Sequence, residues 1–166
     1  MAKDMIRIAS RVANGPSPAE GAFGAPLGHI ISHLQTFLGA KYAVEMSYRS
    51  FADRVRGPWR DALVDHWHEH AKEERESSYA LAMKVVGMGG DPIQTTITIP
   101  DCTANVAGFI KVLMDQELAA IAAGRKLIEL AGLNTSMKVL AENTILLDTH
   151  HLDDLRRMSV SVEQNY

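Results

Sequence analysis

Carboxylates, histidines, a lysine and a serine recur in this sequence at intervals that would place them on the inward faces of helices. The densest stretch is His70-Ala71-Lys72-Glu73-Glu74-Arg75-Glu76-Ser77, in which His70, Glu74 and Ser77 follow one another at steps of four and three. Those steps repeat the period of a helix, so the three residues share a face with the neighbouring apolar positions Trp67 and Leu81. Lys41 and Glu45 sit in the same way on an earlier apolar stripe, Glu117 on a later one, and Asp148 and His151 on the last. A carboxylate buried without a partner is costly, so these groups must pair with one another, stay hydrated or bind a cation. Any one of them alone reads as part of a solvated helix face. Four helices carrying them at matched depth read as a site.

Other polar residues make weaker cases. His66, His68 and His70 look clustered, but steps of two on a helix turn successive rings about 160 degrees apart, so only His66 and His70 share a face. His29 and His33 lie near a helix start and read as exposed. Trp59, Trp67, Phe109 and the eight methionines read as packing.

The elements that must hold these residues follow from the same periodicity. Apolar positions from Leu27 to Val55 predict a first helix over 27–56, ended by Gly57-Pro58. A second runs from Pro58 to about Met88 along Leu63, Trp67, His70, Glu74, Ser77, Leu81, Val85 and Met88, and stops at Gly89-Gly90-Asp91-Pro92. The β-branched segment Ile93 to Pro100 has no second strand to pair with and reads as an extended crossover. Asp101 or Thr103 would cap a third helix through Phe109, Ile110, Leu113, Glu117, Ile121, Leu127 and Leu130. Thr135 or Ser136 would open a fourth through Val139, Leu140, Ile145, Leu147, Leu152, Leu155 and Met158. The expected fold is all-α, an antiparallel four-helix bundle with one long crossover that makes the second and third helices parallel. Residues 1–26 read as a flexible N-terminal arm, 27–158 as the bundle and 159–166 as a C-terminal tail.

Composition narrows the function classes. The 166 residues suffice for one domain, and 46% apolar with 22% charged is ordinary for a water-exposed protein. No apolar run is long enough to span a bilayer. A net charge of -3 with interspersed signs gives no basic stripe, which argues against nucleic acid as the primary partner. The single Cys102 excludes an internal disulfide, and the N-terminus lacks the apolar core of a secretory signal; both predict a cytoplasmic protein.

On these residues the sequence resembles the ferritin-like superfamily, and within it the bacterioferritin-like and related small bacterial ferritins. The markers lie between Leu27 and Met158: Tyr48-Arg49, then His70-Ala71-Lys72-Glu73-Glu74 with Leu81-Ala82 and Gly89-Gly90-Asp91-Pro92, then Glu117-Leu118 with Ile121, and Ile145-Leu146 to Leu152-Asp153. The resemblance implies proteins that oxidise Fe(II) and store the ferric product inside hollow cages. Their di-metal site takes a Glu from the first helix, Glu-x-x-His from the second, a Glu from the third and Glu-x-x-His from the fourth.

Carried over by position, the pattern is incomplete here. The first-helix Glu is replaced by Lys41, seven residues before Tyr48. Glu74 stands at the second-helix Glu, but Ser77 stands at its His. Glu117 matches on the third helix. On the fourth, Asp148 and His151 supply Asp-x-x-His if the preceding connection is shortened, whereas the other register would offer Thr149 and Leu152; the first buries leucines and is preferred. The resemblance then leaves three readings. A single metal could bind Glu74, Glu117, Asp148 and His151, with the Lys41 ammonium replacing the lost cation. A displaced metal could use Glu45 and His70 together with Glu74 and His151. Or Lys41 could salt-bridge the carboxylates in a metal-free pseudo-site. The expectation is a ferritin-like iron-binding and storage protein with a degenerate di-iron centre holding one iron ion or none, its alternative a non-catalytic structural or interaction module. Haem is not expected, since Arg75 stands where haem-binding relatives have a Met. Self-association is expected, as a dimer that could build a dodecamer or larger cage.

Overall fold

The computed structural model of the protein describes residues 25–92, 97–102 and 105–163. The expected arm falls almost wholly outside the described residues, as do the first half of the crossover and the last three residues. Four helices account for nearly all of the rest: α1 (Leu27–Arg54), α2 (Arg60–Gly87), α3 (Val106–Leu130) and α4 (Thr135–Glu163). Among the described residues there is no strand, and 97–102 are irregular as expected of a crossover.

The helix ends follow from local chemistry, and several differ from the sequence expectation. The first turn is wider than expected: α1 stops at Arg54, and a 3-10 turn over Gly57–Trp59 precedes α2. Gly57 takes the left-handed region at φ 78°, and Arg60 Nη1 donates to the Val55 carbonyl across the turn at 3.0 Å. At the end of α2 the Gly90 amide bonds the Val85 carbonyl (3.0 Å) and the Gly89 amide that of Val86 (2.9 Å), with Gly89 at φ 81°. That paired pattern is the Schellman stop, and it needs the glycine. Neither expected cap residue opens α3; Asn105 does, its Oδ1 accepting from the Gly108 amide at 2.7 Å. Asn134, not Thr135 or Ser136, caps α4 by accepting from the Met137 amide at 2.9 Å. Both asparagines offer an acceptor where a helix start leaves its amides unpaired. Residues 159–163, expected as tail, continue α4, and Val162 there is buried.

The helices pair as two hairpins. Lys41 reaches Glu74 and Tyr48 reaches His70, so α1 and α2 run antiparallel; Glu117 reaches His151 and Gly124 faces Ile145, so α3 and α4 do too. The crossover returns the chain so that α2 and α3 are parallel. α1 also packs along α3, whereas α2 and α4 touch sparsely. The core is led by Trp67, Tyr48, Phe37, Phe51 and Phe109, with Phe51 and Phe109 stacked at 4.6 Å. Each such side chain contributes about 1.5–3 kcal/mol by leaving water. On α4 the buried stripe is Met137, Ala141, Thr144, Asp148, His151, Leu152 and Leu155; Val139, expected in it, is exposed.

Gly124 on α3 marks the tightest crossing. A Cβ there would meet Ile145 Cγ1 at 2.8 Å and Phe37 Cζ at 2.9 Å. Gly124→Ala should therefore lower the melting temperature: overpacking of about 1–3 kcal/mol outweighs the gain in helix propensity of about 1 kcal/mol. A thermal melt followed by circular dichroism reads this, and a variant more stable than the parent would show that the three helices meet less closely.

Candidate metal centre

Midway along the bundle each helix turns polar side chains inward, and they meet. Lys41 on α1 is fully buried and its Nζ forms ion pairs with Glu74 Oε2 of α2 and Asp148 Oδ1 of α4. Two turns further along α1, Tyr48 is also fully buried and its hydroxyl donates to Glu117 Oε1 of α3 at 2.9 Å. His151, one turn beyond Asp148, places Nδ1 3.0 Å from Glu74 Oε1 and 3.2 Å from Glu117 Oε1. Its Nε2 lies 2.8 Å from Glu73 Oε2. Glu74, Glu117, Asp148 and His151 are all fully buried.

Charge explains how this survives in a core. Three fully buried carboxylates, Glu74, Glu117 and Asp148, face two cationic partners, Lys41 and His151, with the half-exposed Glu73 at the edge, so with every buried group ionised one negative charge is in excess. Burial by itself would discharge Lys41, but Glu74, Asp148 and Glu117 around it outweigh that and hold its pKa above the ordinary lysine value. Burial also acts against His151, yet the carboxylates of Glu117 and Glu74, accepting from its ring, raise it to about 10. Both ring nitrogens face carboxylates, and only the doubly protonated ring can donate to both. The excess is eased at Asp148, whose pKa rises to about 7 because burial and the nearby Glu74 outweigh the attraction of Lys41. Glu117 is raised as well, by burial first.

The structure brings together Lys41, Glu74, Glu117, Asp148 and His151, with Asp148 and His151, not Thr149, turned to the centre. Thr149 instead donates to the Ile145 carbonyl of its own helix. Ser77 is only half-buried, its Oγ donating to the Glu74 carbonyl at 2.9 Å, and Ser78 takes the buried position expected for it. Steps of four from His70 to Glu74 carry the stripe on to Ser78. Glu45 does not face His70; it is held by Arg75 Nε at 3.0 Å, with Arg49 at 3.9 Å. His70 is buried and stacks on His151 with ring centroids 4.1 Å apart. Burial, then the neighbouring His151, His66 and His150, hold its pKa far below the ordinary histidine range.

Three residues escape the sequence reading: Glu73 and Tyr48, which enter it only within the family markers, and Asp154, which lies outside the expected ligand pattern. For Asp154 a signal existed, since it lies three residues after His151 on the same side of α4.

For metal binding the donors sort clearly. Glu74, Glu117 and His151 offer two oxygens and a nitrogen within 4.8 Å of one another, and Glu117 Oε2 has no hydrogen-bond partner among the described residues. That set fits one ion. Beside it the Lys41 ammonium lies between Glu74 and Asp148, and Ser77 is turned to its own backbone. Two further groups continue outward: His70 with Glu73 and His151, then His66 with His70 and Asp154.

The sequence model of the family described as the ferritin-like domain matches residues 31–157. No curated protein matches the sequence. Among solved structures, a ferritin-like diiron-carboxylate protein of Bacillus anthracis is similar with a TM-score of 0.75 at 23% identity, over 80% of this chain and 96% of that one. A bacterioferritin-related protein of Bacteroides fragilis, a dodecameric thioferritin, aligns with a TM-score of 0.78 at 17% identity, over 87% and 91%. The Dps protein of Vibrio cholerae aligns with a TM-score of 0.74 at 14% identity, over 80% and 89%. At these identities the likeness is one of fold.

The raised pKa values set the sign of the pH dependence in metal-free protein. The His151 contribution is full below the unfolded value near 6.5 and is lost as pH rises towards about 10; the Asp148 contribution is lost earlier, between about 3.8 and about 7. Both make stability fall as pH rises. Denaturant midpoints measured between pH 6.5 and 10 should decline in the parent and decline less in His151→Gln; equal slopes would show that the imidazolium is not held by Glu117 and Glu74.

Proposed function

The chain belongs to the ferritin-like family, and on that premise we propose that it binds and stores iron through a degenerate centre taking one ion in place of two. The supporting observation is the position of the buried Lys41 ammonium, on Glu74 and Asp148, beside a group of Glu74, Glu117 and His151 that one ion would fit. Iron supplies one-electron redox chemistry when bound. Glu74 and Glu117 would hold it through oxygen and His151 through nitrogen, a mixed donor set suited to Fe(II). His151 gives up its proton to become a ligand, so binding competes with the imidazolium. Tyr48 keeps one Glu117 oxygen in place, and Lys41 neutralises the carboxylates the ion leaves uncovered. A lone iron has no partner for concerted two-electron reduction of O2, so Fe(II) oxidation is impaired relative to a two-metal site.

A second reading, a structural module, draws on the same ammonium. Lys41 and His151 together balance most of the buried negative charge without any metal. The two readings separate on purified protein, by elemental analysis and by oxygen consumption on adding Fe(II). Storage predicts about one ion per chain at the centre, retained in Lys41→Ala and lost in Glu117→Ala; absence of metal with oxidation no faster than the uncatalysed background supports the module. Lys41→Glu combined with Ser77→His should raise the stoichiometry towards two and speed oxidation. No gain in bound metal would refute the assigned ligand positions.

Assembly is part of the proposal: a homo-oligomer, with the dodecamer of the Bacteroides fragilis protein as the precedent, acting in the cytoplasm. No described helix is long and apolar enough to cross a membrane. Exposed Tyr79, Met83 and Val86 lie at steps of four and three on one face of α2, as an interface requires. Light scattering should give a mass of several chains, reduced in Met83→Lys with Val86→Lys; a monomeric parent would overturn this.

A further inference from the structure

We propose that His66, His70 and Asp154 form a second, mononuclear site for a divalent transition-metal ion, separate from the Glu74, Glu117 and His151 centre. His66 and His70 stand one turn apart on α2, which sets their rings on one face with centroids 4.2 Å apart and planes tilted by 54°. Asp154, on α4, faces both from across the sparse α2–α4 seam, its Oδ2 lying 3.7 Å from His66 Nε2 and 3.6 Å from His70 Nε2. These separations are too long for hydrogen bonds. They are close to the spacing of about 3.4 Å between ligand atoms arranged tetrahedrally around an ion at about 2.1 Å. The three donor atoms all lie within 4.8 Å of one another.

The hydrogen-bonding needs of this group are otherwise unmet. His66 Nε2, which faces Asp154, is buried without a hydrogen-bond partner among the described residues, as is Nδ1 on the other side of the His70 ring, and His70 is only 3% exposed. Buried ring nitrogens ordinarily find partners. Arg157 engages Asp154 Oδ1, which orients the carboxylate and leaves Oδ2 turned to the histidines. Two imidazoles and one carboxylate, with coordination positions to spare, is a donor set that Zn2+, Co2+ and Fe2+ accept and Mg2+ or Ca2+ do not favour. The way in is open: His66 is 38% exposed and lines a cavity of about 340 Å3 with Trp59, Leu63, Arg157, Met158 and Val162.

Co2+ is the probe, since imidazole-ligated cobalt absorbs in the visible. Titration of the full chain, followed by absorbance and calorimetry, should show a site whose affinity falls at least about tenfold in His66→Ala and likewise in Asp154→Asn. His66 is partly exposed, so its variant keeps the fold, which circular dichroism checks. Glu117→Gln, which removes a donor of the central site, should leave this Co2+ signal in place; its loss there, or affinity unchanged in either seam variant, overturns the proposal. Failure of the central site to take iron leaves these outcomes unaltered.

Discussion

The bundle's centre depends on one buried ammonium. Lys41 sits among the ends of Glu74 and Asp148 with no access to water. Two carboxylates on facing helices would otherwise repel across a medium that screens poorly. Losing one partner from such a network costs about 3–5 kcal/mol, a large share of a net stability of about 5–15 kcal/mol. The hydrophobic core could tolerate many substitutions of similar volume. It could not tolerate three bare carboxylates, and every polar position around Lys41 is arranged to avoid them.

That arrangement is lopsided. α1 contributes a cation and a phenol, whereas α2, α3 and α4 contribute the carboxylates and the histidines. α1 also packs closely along α2 and α3, while α2 and α4 touch little. Potential ligands therefore accumulate where packing is loosest. The groups Glu74–Glu117–His151, His70–Glu73–His151 and His66–His70–Asp154 share His151 and His70 in turn, so donors run without a break from the fully buried centre to the half-exposed His66.

Most of the fold is legible in the sequence because burial on one helical face writes a period that few alternatives can mimic. The four helices, the two hairpins and the crossover follow from it, and so do Lys41, Glu74, Glu117, Asp148 and His151 at the centre. Ends and neighbours are less legible. Asn105 and Asn134 hold the caps, and not the residues read from sequence, because a cap must stand where the helix begins, and apolar periodicity fixes that start only to within a few residues. Ser77 and Ser78 lie about 60 and about 40 degrees to either side of Glu74 around the helix, so the period alone puts both near its face and chooses poorly between them. Glu45 and His70 lie at compatible heights, but Arg75 reaches Glu45 from the side, and sequence spacing carries no record of a flexible guanidinium. Asp154 needed the seam itself, since its importance lies in what α2 places opposite.

Lys41 also decides which chemistry the remaining donors can support. An ammonium cannot leave as a metal ion can, so the charge on Glu74 and Asp148 is balanced whether or not metal is present. On the proposed reading the centre would keep its fold in both states, and metal binding there would not be needed for folding. A site freed from that structural duty can be weak and exchangeable. His151 fits the same logic: as an imidazolium it closes the charge balance, and on giving up its proton it becomes a ligand at the same place. Lys41 on α1 thus balances the buried carboxylates without metal, and in the proposed centre the donors of α2, α3 and α4 would take one ion.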